Sequence, residues 1–355
     1  MDGKRAPRAS RLVTLVAAVG LPVALGGSLM AGVGPAAAQT SAAVASSTTS
    51  AAVASSTTSA AAASSTTSAA AASSAATTTT AICDDASHPA LAARVSKGIL
   101  AAMAGRSSVV GLAVDDRVSG LTCKYHPHWH FDSASVVKVT ILSALLRKLQ
   151  QEHRGLTAAQ KDLATEMITV SDNDAASALW AETGRPSLRH FLDLAKMNET
   201  VLGPGGYWGL TLITAHDELS LLKLLTSKNP VLTTANRDYV LGLMAWVVSY
   251  ERWGVPAGAP TDVTVHVKNG WLPLATHGWR INSIGSFSGH GKNYMIVVLT
   301  DDNPTMDYGV DTVQDIAEVI NHGLNPGAAS VIPAATPNRS WGVPDEKIPA
   351  SLGRH

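Results

Sequence analysis

Ser135-Val136-Val137-Lys138 follows a short polar stretch and opens an apolar run that continues to Leu146. A serine at the first turn of a predicted helix, with a lysine three residues on, puts the amine and the hydroxyl on one helix face. The helix N-terminus adds free N–H groups and the positive end of the dipole, which favour negative charge developing beside the serine. The stretch reads as an activated serine. An N-capping serine followed by a surface lysine has the same pattern, and Ser220-Leu221-Leu222-Lys223 repeats it in this chain. The tetrad alone does not separate the two readings, so the rest of the chain has to.

Working outward, Pro89 to Met103 is a helical pattern with proline in the first turn, where no N–H is missed. Ser108 to Asp115 and Leu121 to His126 read as strands joined by the turn Asp116 to Gly120, a hairpin. After the tetrad segment come helices over Thr157 to Val170, Asp174 to Thr183, Leu188 to Lys196, Thr214 to Leu225 and Ala235 to Val248. Strands resume at Val263 to Lys268, Trp279 to Ser286 and Tyr294 to Thr300, and Asp311 to His322 closes the domain as a helix. Two strands, a helical block, three strands and a last helix predict an α/β (α+β) domain: a five-stranded sheet flanked by helices, with an all-helical lobe inserted.

The flanks divide from this domain by composition. Lys4, Arg5, Arg8 and Arg11 precede an apolar run from Leu12 to about Val33, followed by Ala36-Ala37-Ala38. The expectation for 1–38 is an export signal cleaved after Ala38, giving a secreted or cell-envelope protein without stable membrane insertion. A retained anchor is the alternative, against which Pro22 and the glycines at 20, 26 and 27 weigh. Residues 39–81 are nearly all Ala, Ser and Thr, with a nine-residue repeat at 42–50, 51–59 and 60–68. Such a segment buries too little to offset its ordering entropy and reads as a flexible stalk. After Asn325 the Pro- and Ala-rich tail, 326–355, has no periodicity and is expected to be loosely held. Residues 82–325 carry the fold.

With zero formal net charge, 46% hydrophobic and 15% charged residues, the chain has no basic field for nucleic acid. Its two cysteines, Cys83 and Cys123, are most simply a disulfide in an oxidising compartment, with two free buried thiols as the alternative.

Two further constellations decide the reading of the tetrad. Ser171-Asp172-Asn173 lies between two predicted helices, and Lys268-Asn269-Gly270 ends the strand that restarts the sheet. Together and in this order they resemble the S-x-x-K, S-D-N and K-T-G elements of the penicillin-recognising serine hydrolases, nearest to class A β-lactamases. The resemblance spans roughly 82–325 and includes Thr169-Val170-Ser171-Asp172-Asn173-Asp174-Ala175-Ala176 and the closing strands with Ile284-Gly285 and Val297-Val298. It implies a β-lactamase/transpeptidase-like fold with an antiparallel sheet.

Carried over residue by residue, the resemblance makes Ser135 the acylated nucleophile and Lys138 its proton acceptor. Ser171 would relay the proton to the leaving nitrogen, and Asn173 would hold the substrate amide side chain. Lys268 would attract the substrate carboxylate and disfavour a charge on Lys138. The oxyanion hole would be the backbone N–H groups of Ser135 and Trp271, each such donor worth about 3 kcal/mol of barrier. Gly270 would let the substrate lie close against the strand. No metal or cofactor is implied.

Three departures qualify this. Asn269 replaces a hydroxyl residue, so one hydrogen bond to the substrate carboxylate is expected to be altered or missing. Only 36 residues separate Ser135 from Ser171, so one cleft wall is expected to be reduced. The deacylating glutamate of class A, in an E-x-x-L-N loop, has its nearest match in Glu199-Thr200-Val201-Leu202-Gly203, which lacks the asparagine. His126, His128 and His130 alternate as zinc ligands on a strand would, but Pro127 interrupts the ladder and surface histidines are expected. Asp217 is expected to partner the Thr214 N-cap, and Trp208, Trp271 and Trp279 to be core or cleft wall.

Two function classes follow. One is an exported serine hydrolase, monomeric, that opens β-lactam amides through a Ser135 acyl-enzyme with slow deacylation; a D,D-peptidase or esterase on peptidoglycan-like substrates is its runner-up. The other is a non-turnover penicillin-binding or cell-wall-associated protein on the same fold.

Overall fold

The computed structural model describes residues 81–335. The expected export signal, nearly all of the stalk and the end of the tail lie outside the described residues. Strand β1 (Cys83–Asp84) leads to helix α1 (Pro89–Met103), then to the hairpin β2 (Val109–Asp116) and β3 (Thr122–Tyr125). The hairpin turn is built on Asp116, whose carboxylate accepts from the Val118 and Ser119 amides at 3.1 and 3.0 Å and from the Ser119 hydroxyl at 2.6 Å. The two-residue strand β4 (Phe131–Asp132) precedes a 3₁₀ turn, Ala134–Val136, and helix α2 (Val137–Gln151).

The helical lobe follows: α3 (Ala158–Thr169), α4 (Asn173–Thr183), α5 (Arg185–Ala195), the short strand β5 (Leu212–Ile213), α6 (Ala215–Thr226) and α7 (Thr234–Ala245). Helices α3, α4, α6 and α7 start where side-chain caps satisfy free N–H groups, whereas α5 starts at Gly184 without one. Thr157 and Gln160 form a capping box for α3, Asp172 accepts from the Ala175 amide at 2.7 Å, and Thr214 accepts from the Asp217 amide at 3.1 Å. Strands β6 (Thr264–Pro273), β7 (Trp279–Gly289) and β8 (Lys292–Asn303) and helix α8 (Met306–Leu324) complete the fold.

The main sheet has the order β1-β3-β2-β8-β7-β6, every pair antiparallel, so two-residue β1 adds a sixth strand to the five expected. Cys83 and Cys123 are register partners there and are joined as a disulfide. Side chains alternate between two cores. On β8, Met295, Val297 and Leu299 face the core shared with the helical lobe. Tyr294, Ile296 and Val298 face the core under α1 and α8. Helix α2 is buried almost all round, because it runs through the centre of the lobe.

Several expectations are corrected. Strand β6 runs five residues past Lys268, because Asn269 and Gly270 remain paired with Ser283 and Asn282. Helix α8 starts at Met306 rather than Asp311, where the Thr305 hydroxyl accepts from the Tyr308 amide. The first part of the tail is held: Ile332 donates to Ala259 O at 2.7 Å and accepts from Gly258 N at 2.8 Å, and Ala335 exchanges hydrogen bonds with Gln314.

Candidate active site

Ser135 is partly exposed in a turn whose neighbours on both sides are buried. Ala134, just before it, has φ +46°, a left-handed conformation that costs a non-glycine residue about 1–2 kcal/mol and is kept by its surroundings. Those surroundings come from two strands. Asn282 on β7 donates to the carbonyls of Asp132 and Ser133 at 2.9 and 3.3 Å, and buried Arg280 pairs with Asp132 at 2.9 Å. On β6, a Cβ added to Gly270 would lie 2.7–2.9 Å from Ser133 O, Ser135 N and Val136 N. Gly270 is therefore required by the close approach of the strand to the turn that carries Ser135. The same approach brings the Ser135 amide beside Gly270, the residue preceding Trp271.

Lys138, the second residue of α2, is wholly buried. Its Nζ donates to Ser171 O at 2.6 Å, to Asn173 Oδ1 at 2.7 Å and, more weakly, to Ser171 Oγ at 3.3 Å. Ser171 sits between α3 and α4 at φ +55°, a second strained residue at the site. From the opposite side Lys268 Nζ donates to Ser171 Oγ at 2.9 Å and to Asn269 O at 3.0 Å. The Ser171 oxygen accepts from both lysine nitrogens, which leaves its hydrogen free to be given up.

Glu251, on a 3₁₀ turn before β6, stands 3.9 Å from Lys268. Burial pulls the Lys268 ammonium down to about 8, with Glu251 acting to hold it up. Burial raises the Glu251 carboxyl in turn, against the charges of Lys268 and Lys138. No motif announced Glu251, which lies 17 residues before Lys268 in a stretch without periodicity.

Residues 151–324 match the model of the beta-lactamase enzyme family. The folded domain has the β-lactamase/transpeptidase-like fold. Among solved structures, a class A β-lactamase from Bacteroides cellulosilyticus superposes with TM-score 0.58 at 19% identity, covering 66% of this chain and 98% of that one. The TLA-3 extended-spectrum β-lactamase gives 0.59 at 17% identity, over 65% and 98%. A variant of the penicillin-binding protein PBP-A, in an acyl-enzyme complex with penicillin G, gives 0.58 at 16%, over 66% and 97%. No curated protein matches the chain by sequence.

Two residues are engaged otherwise than the resemblance implies. Asn269 does not face a substrate carboxylate: its amide nitrogen donates to Glu251 O and Trp253 O at 2.7 and 2.9 Å, tying β6 to the preceding segment. Glu199 is not joined to the Lys138 cluster. Its carboxylate accepts from Thr214 Oγ1 at 2.8 Å and pairs with His128 Nδ1 at 2.8 Å. Burial acts to raise this carboxyl, but the hydrogen bonds from Thr214 and His128 outweigh it and hold it below the ordinary range, which makes it a weaker base. The connection between α5 and α6 instead places Trp208 against the cluster, its ring centre 4.7 Å from Lys138 Nζ and its Nε1 donating to Ser177 Oγ at 3.1 Å. Sequence reading placed Trp208 in the cleft wall without a role, since a lone tryptophan in a Gly- and Pro-rich loop carries no signal of what it covers.

Proposed function

We propose that this protein is an exported serine hydrolase that opens β-lactam amides by acylation of Ser135 and releases the acyl group slowly. The observation that carries the reading is Ser171 Oγ, held between Lys138 Nζ and Lys268 Nζ at 3.3 and 2.9 Å beside the nucleophile turn. Lys138, as the neutral amine, takes the Ser135 proton; Ser171 gives its own proton to the β-lactam nitrogen and is reprotonated from Lys138, and the amides of Ser135 and Trp271 stabilise the oxyanion. The Lys268 ammonium attracts the substrate carboxylate, and the Asn173 amide group meets the acylamino side chain.

Slow release follows from Trp208 facing Lys138 where a water-activating carboxylate would serve, and from Glu199 being bound to Thr214 and His128. The same observation favours the second reading, a penicillin-binding protein that is acylated with little turnover. Intact mass followed over time after adding penicillin G tests both. A stoichiometric adduct that decays over minutes to hours supports slow hydrolysis, and one that persists supports the second reading. No adduct at all overturns both in favour of a peptidase or esterase. Export is tested separately, by the N-terminus of protein from medium or envelope, expected near Gln39.

A further inference from the structure

Three segments remote in sequence bring His128, Glu199 and His216 together: the turn before β4, the connection after α5 and the first turn of α6. Their ligand atoms all lie within 4.8 Å of one another. His128 Nδ1 is 2.8 Å from Glu199 Oε1, and His216 Nδ1 is 3.8 Å from Glu199 Oε2. Two ligands of a tetrahedral zinc ion stand about 3.3 Å apart, a spacing that falls between these two. The imidazole rings of His128 and His216 are 5.1 Å apart.

The positions are held without help from an ion. His216 N donates to Pro127 O at 2.9 Å, which fixes one histidine segment to the other. Buried Asp217 accepts from Glu199 N at 2.9 Å and Thr200 Oγ1 at 2.7 Å, which fixes the glutamate to α6. Around the three side chains lies a second layer of the kind that orients metal ligands. Thr214 Oγ1 donates to Glu199 Oε2 at 2.8 Å, and His130 Nε2 is 2.8 Å from Glu199 O; Asp217 Oδ1, 3.2 Å from His216 Nδ1, would give up that nitrogen to the ion. The side chains of His128, Glu199 and His216 are 60%, 31% and 45% exposed, so an ion can enter and keep one position for water.

We propose that His128, Glu199 and His216 form a binding site for a zinc-class divalent ion. Two imidazoles and one carboxylate suit zinc, with water as the fourth ligand. The ion would clamp the connection that carries Trp208 to the segment that leads into the nucleophile turn. This gives Glu199 a use apart from the acylation chemistry and does not depend on it.

The test uses the untagged full chain, freed of metal by EDTA and dialysis. Calorimetry with zinc chloride should give one ion per chain, and cobalt(II) should produce the visible bands of a four-coordinate ion that zinc abolishes. His128→Ala and His216→Ala should each weaken zinc binding by about 10²-fold or more, with metal-free melting temperatures within a few degrees of the parent's. No binding at about 100 µM zinc, or binding that survives the double replacement, overturns the proposal. Should either variant fail to fold, the cobalt spectrum of the parent decides, and six-coordinate bands or none count against the site.

Discussion

Lys138 Nζ stands 4.7 Å from the centre of the Trp208 ring. An aromatic face favours the charged form of an amine and cannot activate a water. The carboxylate that sequence put forward for that task is spent on Thr214 and His128. In metal-free buffer, Glu199→Gln is therefore expected to leave the lifetime of the penicillin acyl-enzyme within about twofold of the parent's, against the 10²–10⁴-fold typical of losing a general base. A lifetime lengthened by that larger factor would return Glu199 to the mechanism.

Ser135→Ala should abolish labelling by a fluorescent penicillin with the circular dichroism unchanged. Lys138→Ala should slow labelling by about 10²–10⁴-fold, because an unassisted hydroxyl is a poor nucleophile at neutral pH. Labelling that persists in the serine variant removes Ser135 as nucleophile.

At Gly270 the atoms in the way are backbone: Ser133 O, Ser135 N and Val136 N. Neither the strand nor the turn can swing aside as a flexible side chain would. Gly270→Ala should cost about 1–3 kcal/mol, read as a lower melting temperature. It should also slow acylation, because the displaced turn carries both the nucleophile and one oxyanion donor. Unchanged acylation kinetics would show that the turn tolerates the shift.

Lys268 titrates at about 8 with burial as the main cause, so its ammonium is lost as pH rises through that value. The second-order acylation constant for a penicillin should fall through the same range, since it reports the free enzyme. Glu251 acts to hold the ammonium up. Glu251→Gln removes that charge, so the falling limb should move to lower pH; a limb that stays in place would mean another group controls it.

The Cys83–Cys123 disulfide closes a separation of 40 residues, between β1 and β3. A loop of that size corresponds to roughly 4 kcal/mol in the chain-entropy picture, with 2–4 kcal/mol typical of measured bridges. Replacing both cysteines by serine should lower denaturant stability by that amount. The penicillin-labelling rate should be unaffected, because the bridge lies on β1 and β3 while the site is built on β6, α2 and the α3–α4 connection.

The order of elements was legible along the chain because it is a local property. Thr157 with Gln160, Asp172 and Thr214 announce helix starts through hydrogen bonds spanning three residues, and alternation on the strands reports two buried faces. The motifs at Ser135, Ser171 and Lys268 were legible only together and in their order, because the tetrad alone recurs at Ser220 to Lys223. What faces what was not. Trp208 rather than Glu199 meets Lys138, Asn269 turns to the carbonyls of Glu251 and Trp253, Gly270 yields to the nucleophile turn, and Glu199 gathers His128 and His216. Each of these pairs residues 16 to 137 positions apart, and the path of an aperiodic loop decides the partner. Periodicity and propensity say that a side chain is buried or a turn is made; only the packed chain says against which atom.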